Sequence, residues 1–239
     1  MLNKLKKIKP KHILEMLVIL ISFIPGMILR LIKRDIWIVA ENGDDAKDNG
    51  YAFFKYAMEN KSKKDIYYVI TKKSIYYDKL KKYNKNLLYK NSLKHNIYTI
   101  ASTKYISSQI GSGLPFPELV FNFQGTFIYR FKSIFLQHGI TQNKVQCLLK
   151  NESKVDLFCC AGNKEYDFVI NELGYNEENA KKTGFCRYDL LKDESKNSNK
   201  ILMMFTWRKQ FENDEKAFLD SKYYSTIQDL IKDIEQAVR

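Results

Sequence analysis

The sequence predicts an α/β protein built on a mostly parallel sheet with helices on both faces. After Arg34, short β-rich apolar runs alternate with helical segments of about ten residues, the pattern of βαβ units. An apolar fraction of 45% in 239 residues is enough to bury a core, and the glycine- and proline-rich turns fall at the ends of the apolar runs.

The elements follow in order. Strands are expected at Ile36–Ala40, Ile66–Thr71, Asn86–Tyr89, Tyr105–Gln109, Ser133–Gln137 and Asp156–Ala161, with helices near Asn49–Glu59, Ser74–Tyr83, Ser92–Ser102 and Lys164–Leu173. This alternation implies a parallel sheet buried on both sides. Residues 110–118, with Gly111, Gly113, Pro115 and Pro117, read as a loop at the carboxyl edge of the sheet, where open α/β folds hold ligands. The polar stretch 193–199 reads as a linker. Beyond it, Ile201–Phe205 reads as the first strand of a second unit and Phe218–Val238 as a helix. The expected organisation is therefore a segment at 1–34, a Rossmann-like lobe at 35–192, a linker at 193–199 and the start of a further lobe at 200–239.

The first segment stands apart. Ile13 to Ile32 is dominated by Leu, Ile, Val, Met and Phe, interrupted by Glu15, Pro25-Gly26 and Arg30. At ~1.5 Å per residue a helix of this length approaches a bilayer core of ~30 Å. Pro25-Gly26 predicts a break. Basic residues at both ends, Lys4 to Lys11 and Arg30 to Arg34, give no orientation bias for a span. A helix in the interface, with both clusters facing anionic headgroups, needs none. Interfacial attachment ranks first, spanning second and a buried helix third. No small-residue cleavage site precedes the next charged cluster, which argues against a signal peptide.

Over half of the formal charge of +13 sits in residues 1–34, where Lys4, Lys6, Lys7, Lys9, Lys11, Arg30, Lys33 and Arg34 face only Glu15. The rest is dispersed, without the dense block or aromatic motif of a nucleic-acid binder. Cys147, Cys159, Cys160 and Cys186 lack the spacing of a zinc site or a disulfide framework. No P-loop or GxGxxG occurs, and no cofactor or metal is expected. Asp44-Asp45 reads as a solvated loop pair.

Of three histidines, His12 belongs to the apolar segment and His95 to a predicted helix. His138 ends the run Phe135-Leu136-Gln137-His138-Gly139, where the chain leaves a strand. Its imidazole can accept a proton near neutral pH, as a general base must. The structural alternative is a histidine bonded to backbone at a strand end. Glycine at 139 would permit a tight turn and close approach of a ligand. Glu41, Asp48 and Asn49 face the same edge and could orient His138 or bind hydroxyls, although Asp48 also fits a helix N-cap. Arg187 could pair with phosphate or with Asp189. Thr206 and Arg208 end the strand expected in the second unit.

Together these residues resemble the CDP-glycerol glycerophosphotransferase family, the teichoic-acid and capsule-type primases and polymerases. The matching segments are Glu41 through Asp48-Asn49-Gly50 with Phe53-Phe54-Lys55-Tyr56, Phe135 to Gly139, Thr183-Gly184 with Arg187 and Asp189, and Thr206-Trp207-Arg208. The resemblance implies a GT-B architecture of two Rossmann-like lobes. It implies transfer of glycerol phosphate, or a similar polyol phosphate, from a CDP-linked donor to a hydroxyl on a lipid-linked acceptor. His138 would be the base, and Glu41, Asp48, Asn49, Gln137, Gly139, Arg187, Asp189, Thr206 and Arg208 would bind substrate. Location at the cytoplasmic face of the cell membrane, peripheral or monotopic, follows from that acceptor. Cys186 stands where many relatives carry proline. The family's second lobe extends beyond what 200–239 can hold, so little or no activity is expected of this chain alone, whether truncated, excised or awaiting a second chain that supplies the missing lobe. The alternatives are a non-catalytic remnant that binds membrane or acceptor, and a GT-B glycosyltransferase using a nucleotide sugar.

Overall fold

The computed structural model describes residues 10–193, 201–205 and 208–238. They fall into two compact units, Met1–Lys192 and Asp193–Arg239.

The first unit opens with helix α1 (Pro10–Ile32) and continues β1 (Ile36–Ala40), α2 (Asn49–Glu59), β2 (Asp65–Ile70), α3 (Tyr77–Leu80), β3 (Leu87–Tyr89), α4 (Leu93–Ala101), β4 (Lys104–Ser107), α5 (Pro117–Phe123), β5 (Lys132–Phe135), α6 (Lys150–Ser153), β6 (Leu157–Cys160), α7 (Asn163–Leu173) and β7 (Ala180–Lys182). The strands form one sheet in the order β3-β2-β1-β4-β5-β6-β7, every pair parallel. The chain builds outward from β1 to β3, then returns and builds outward the other way from β4. The carboxyl ends of β1 and β4 therefore flank the switch point where a ligand crevice opens.

Period-two alternation sorts the core. Ile36, Ile38 and Ala40 of β1 join Tyr67, Val69 and Tyr105 on one face. Val39, Ile66, Tyr68, Ile70 and Ile106 point to the other, against Phe54 and Ala57 of α2. Cys159 and Cys160, adjacent on β6, enter different clusters for the same reason. Both are buried thiols, pushed up to about 11 and about 12 by desolvation.

The six expected strands are present with ends shifted by at most two residues, and α2 spans its expected range. The expected helix at Ser74–Tyr83 shrinks to α3 and a 3-10 turn at Lys81–Asn86, because the Ser74 hydroxyl turns back to the Asp44 carbonyl. The loop after β4 gives way to α5, with Pro117 in its first turn. β7 was not expected. Its sequence, Ala-Lys-Lys, has one buried residue and two exposed lysines, which suits a sheet edge that must not recruit another chain.

Helix α1 runs unbroken through Pro25-Gly26. Contact with α4 offsets the lost hydrogen bond: a Cβ at Gly26 would lie 2.6 Å from Cγ2 of Ile100, so only glycine lets the two helices meet this closely. Arg30 does not point outward to headgroups. Its guanidinium turns inward, donating to the carbonyls of Ile100 and Ile128, and Lys33 pairs with Asp65 at 2.6 Å. At the other end Lys11 and His12 contact Glu118 at 3.1 and 2.9 Å. The helix thus lies along the lobe, tied at both ends, as part of the first unit.

In the second unit, Ile201–Phe205 forms no strand, because no described neighbour offers it a hydrogen-bonding ladder. The expected single helix divides into α8 (Glu215–Leu219) and α9 (Lys222–Val238). Asp214 caps the first, its carboxylate accepting from the Ala217 N–H at 2.9 Å, and the Ser221 hydroxyl accepts from Tyr224 N–H at the start of the second. Phe211, Phe218 and Tyr223 pack together within this unit.

Candidate active site at the carboxyl edge of the sheet

Glu41 follows β1 and turns under the start of α2. One carboxylate oxygen accepts from the backbone N–H of Asp48 (2.8 Å) and Tyr51 (2.9 Å), the other from Lys47 (3.0 Å). It occupies the place of an N-cap from outside the helix, satisfying donors that a helix start leaves open. Burial raises its pKa while the three N–H donors oppose the rise. At 2% exposure its carboxylate is committed to the start of α2.

Gly50, in the first turn of α2, would place a Cβ 2.9 Å from the Ala40 carbonyl oxygen, so glycine is what lets the helix start close onto β1. Its N–H donates to the Ser108 hydroxyl at 2.8 Å. Asn49 is fully buried. Its amide donates to the Gln137 and Leu136 carbonyls (2.8 and 3.3 Å), and its oxygen accepts from the Arg187 N–H at 3.0 Å. One side chain therefore clamps the loops after β5 and after β7. Asn49 braces both loops against the start of α2.

Gln137 is likewise structural. It takes a left-handed conformation (φ 64°) and is 1% exposed. Its amide donates to Glu165 at 2.7 Å and its oxygen accepts from the Thr141 hydroxyl at 2.7 Å. Glu165 also accepts from the backbone of Thr141 and Ala161. The sharp turn belongs to Gln137 rather than Gly139, whose missing side chain would meet only open space. The buried network lets the chain reverse at Gln137 and present the next residue outward.

That residue is His138, exposed at the switch point. Its Nδ1 lies 3.2 Å from the Ser108 carbonyl oxygen. A carbonyl can only accept, so the bond places the ring proton on Nδ1 and leaves the lone pair on Nε2. The ring is anchored on one side and basic on the other. The arrangement can take a proton from a hydroxyl brought to Nε2.

Arg187 completes the frame. It does not pair with Asp189; its guanidinium binds Asp48 and donates to the His138 carbonyl at 2.9 Å, with Phe185 beneath at 4.8 Å. Asp48 makes this ion pair instead of capping α2. Asp189 is exposed beside Cys186 along a cleft of about 340 Å³. Arg208 is exposed in the second unit, its guanidinium 5.2 Å from the Tyr223 ring centre; Thr206 lies outside the described residues. Among the described residues no cluster of metal-binding side chains occurs.

The fold thus brings Glu41, Asp48, Asn49, Gln137, His138 and Arg187 to one edge. Three contributors were missed from sequence: Ser108, Thr141 and Glu165. Only Ser108 carried a signal, as a hydroxyl near the carboxyl end of the predicted strand Tyr105–Gln109.

Residues 24–233 match the family model of CDP-glycerol:poly(glycerophosphate) glycerophosphotransferase. The chain is 34% identical over 215 residues to the minor teichoic acid biosynthesis protein GgaB of Bacillus subtilis (strain 168), a match spanning 84% of this chain and 23% of that protein. Among solved structures, a variant of the wall teichoic acid polymerase TagF aligns over 77% of this chain and 49% of its own, with a TM-score of 0.44 and 10% identity. With most of its length inside the family match, this chain belongs to the CDP-glycerol:poly(glycerophosphate) glycerophosphotransferase family.

Proposed function

We propose that this chain supplies the acceptor-activating lobe of a transferase that moves glycerol phosphate, or a similar polyol phosphate, from a CDP-linked donor to a hydroxyl of a membrane-held cell-wall polymer. The carrying observation is the His138 ring, exposed at the switch point with Nδ1–H tied to Ser108 and Nε2 open. The acceptor hydroxyl gives its proton to Nε2 as its oxygen attacks the β-phosphorus of the donor. The bond from that phosphorus to the bridging oxygen breaks, and CMP leaves. Reactions of this class depend chiefly on alignment and charge stabilisation. Arg187 is a positioning residue here, since it grips the His138 carbonyl.

The membrane enters through α1. Ten large apolar side chains of this helix, from Ile13 to Ile32, are 47–77% exposed while its opposite face packs on α4. It is long and apolar enough to cross a bilayer. Docked along the lobe at both ends, it suits an in-plane position at the cytoplasmic surface, where a soluble donor and a membrane-held acceptor meet.

The test is CMP release from CDP-glycerol with polymer-bearing membranes, by this chain and by its in-frame fusion to the segment of GgaB that follows the matched region. We expect release by the fusion, and loss of at least 100-fold in the His138→Ala variant, of the order that general-base removal costs. Unchanged turnover in that variant removes His138 from the mechanism. Release of UDP from UDP-sugars instead of CMP points to glycosyl transfer.

A further inference from the structure

We infer that the first unit carries a seat for an anionic phospholipid between α1 and the loop that follows α5, at the opposite end of the sheet from His138; this rests on the membrane reading above. Two adjoining cavities form it. One, of about 710 Å³, is almost wholly apolar and is lined by Ile13, Met16, Leu17 and Leu20 of α1 together with Phe123 and Phe127. The other, of about 640 Å³, is lined by Arg130, Lys132, Lys150 and Lys154 with the single carboxylate Asp156. Phe127 lines both, with its ring edge-on to Phe23 of α1 at 5.8 Å.

The juxtaposition selects the occupant. A free anion would use only the basic cavity and a hydrocarbon only the apolar one. An amphiphile with a charged head fills both, and four cations against one carboxylate call for a net negative headgroup rather than a zwitterion.

The cations divide by role. Lys150 donates to the Val155 carbonyl, and Lys154 to those of Phe121 (2.6 Å) and Asn122 (3.2 Å). Their charges are fixed in place. Lys132 pairs with Asp156 at 3.0 Å but keeps its side chain 70% exposed. Arg130 is exposed and has no ion-pair partner among the described residues. Arg130 can close on a phosphate directly, and the exposed Lys132 can do so by turning from Asp156. The walls are held together from within, because Arg30 of α1 donates to the Ile128 carbonyl two residues before Arg130. Lys132 begins β5 and Lys154 to Asp156 lead into β6, so the seat lies at the amino edge of the sheet. It therefore anchors and orients the lobe on the bilayer instead of presenting a substrate to His138.

The experiment is sedimentation of the full chain with vesicles of phosphatidylcholine alone or with one-third phosphatidylglycerol. We expect tighter binding to the anionic vesicles. Replacing Arg130→Gln and Lys132→Gln together should weaken that binding about 25-fold, at roughly fivefold per basic group near a charged surface, and leave binding to pure phosphatidylcholine unchanged. Lys181→Gln with Lys182→Gln, the same charge loss on the exposed edge strand β7, should change binding less than twofold. An equal loss in this control overturns the seat in favour of diffuse attraction. Equal binding of the unaltered chain to both vesicle types also overturns it while sparing the membrane reading; no binding to either ends both. Unchanged far-UV circular dichroism of the variants confirms that the fold is intact.

Discussion

At the scale of single residues, the site divides into one group that faces solvent and several that hold it there. Nitrogen NMR of ring-labelled protein at neutral pH should show His138 protonated on Nδ1, with Nε2 as the unprotonated nitrogen. The opposite tautomer would leave no lone pair at the open side and would sink the base assignment. His95 makes a contrasting case. It is fully buried, with Nδ1 accepting from the Asn91 N–H at 3.2 Å and Nε2 without a hydrogen-bond partner among the described residues. Desolvation, with help from Lys90, brings its pKa down to about 3. The unfolded value is ~6.5, so below that pH the unfolded chain binds a proton the folded one refuses. Its contribution to stability is whole above pH 6.5 and is lost as the pH falls toward 3. Between pH 7 and 5, urea unfolding should show the parent losing about 2 kcal/mol more than a His95→Gln variant. Equal slopes in the two proteins would mean that His95 is already solvated in the folded state.

At the scale of elements, the contact of α1 with α4 explains why a helix with so many exposed apolar side chains still belongs to the lobe. Gly26 is the point of closest approach. Gly26→Val should destabilise the first unit by about 1–3 kcal/mol through overpacking, read as a lower urea midpoint. Adding Ile100→Ala should recover part of the loss, since the two side chains compete for one space. A purely additive pair would show that the helices do not press together there. The same element scale accounts for Asn49, which stands at the start of α2 and braces the loops of β5 and β7, so that three elements converge on His138 through one amide.

At the scale of the molecule, the buried apolar side chains among the described residues all fall between Ile19 and Phe185. The first unit therefore carries its own core. Ending the chain after Lys192 should leave its thermal midpoint within about 2 °C, where losing even 1 kcal/mol from a domain of this size would move it by about that much or more. A larger drop would show that the second unit contributes to the stability of the first. The two proposed roles fall at opposite ends of one sheet: acceptor activation at the carboxyl edge, around His138, and lipid binding along α1 toward the amino edge.

Much of this was readable in the chain itself. The alternation of β-rich and helical runs determined the parallel α/β class, because only crossovers long enough to hold a helix can return a strand in the same direction. Asn49–Glu59 was legible to the residue, being amphipathic and sharply bounded, and His138 stood out as a lone imidazole at a strand end. Local pattern could not assign Ala180–Lys182 to a strand, nor keep Ile201–Phe205 out of one, because a strand exists only where a neighbour pairs with it. Nor could it tell that Glu41, Asn49 and Gln137 are buried, with their polar groups bonded inside the fold, while His138 is exposed. Polar residue types announce hydrogen bonds but not their partners, and those partners, up to 139 positions apart as in Asp48 and Arg187, are settled only when the sheet brings its carboxyl-edge loops together.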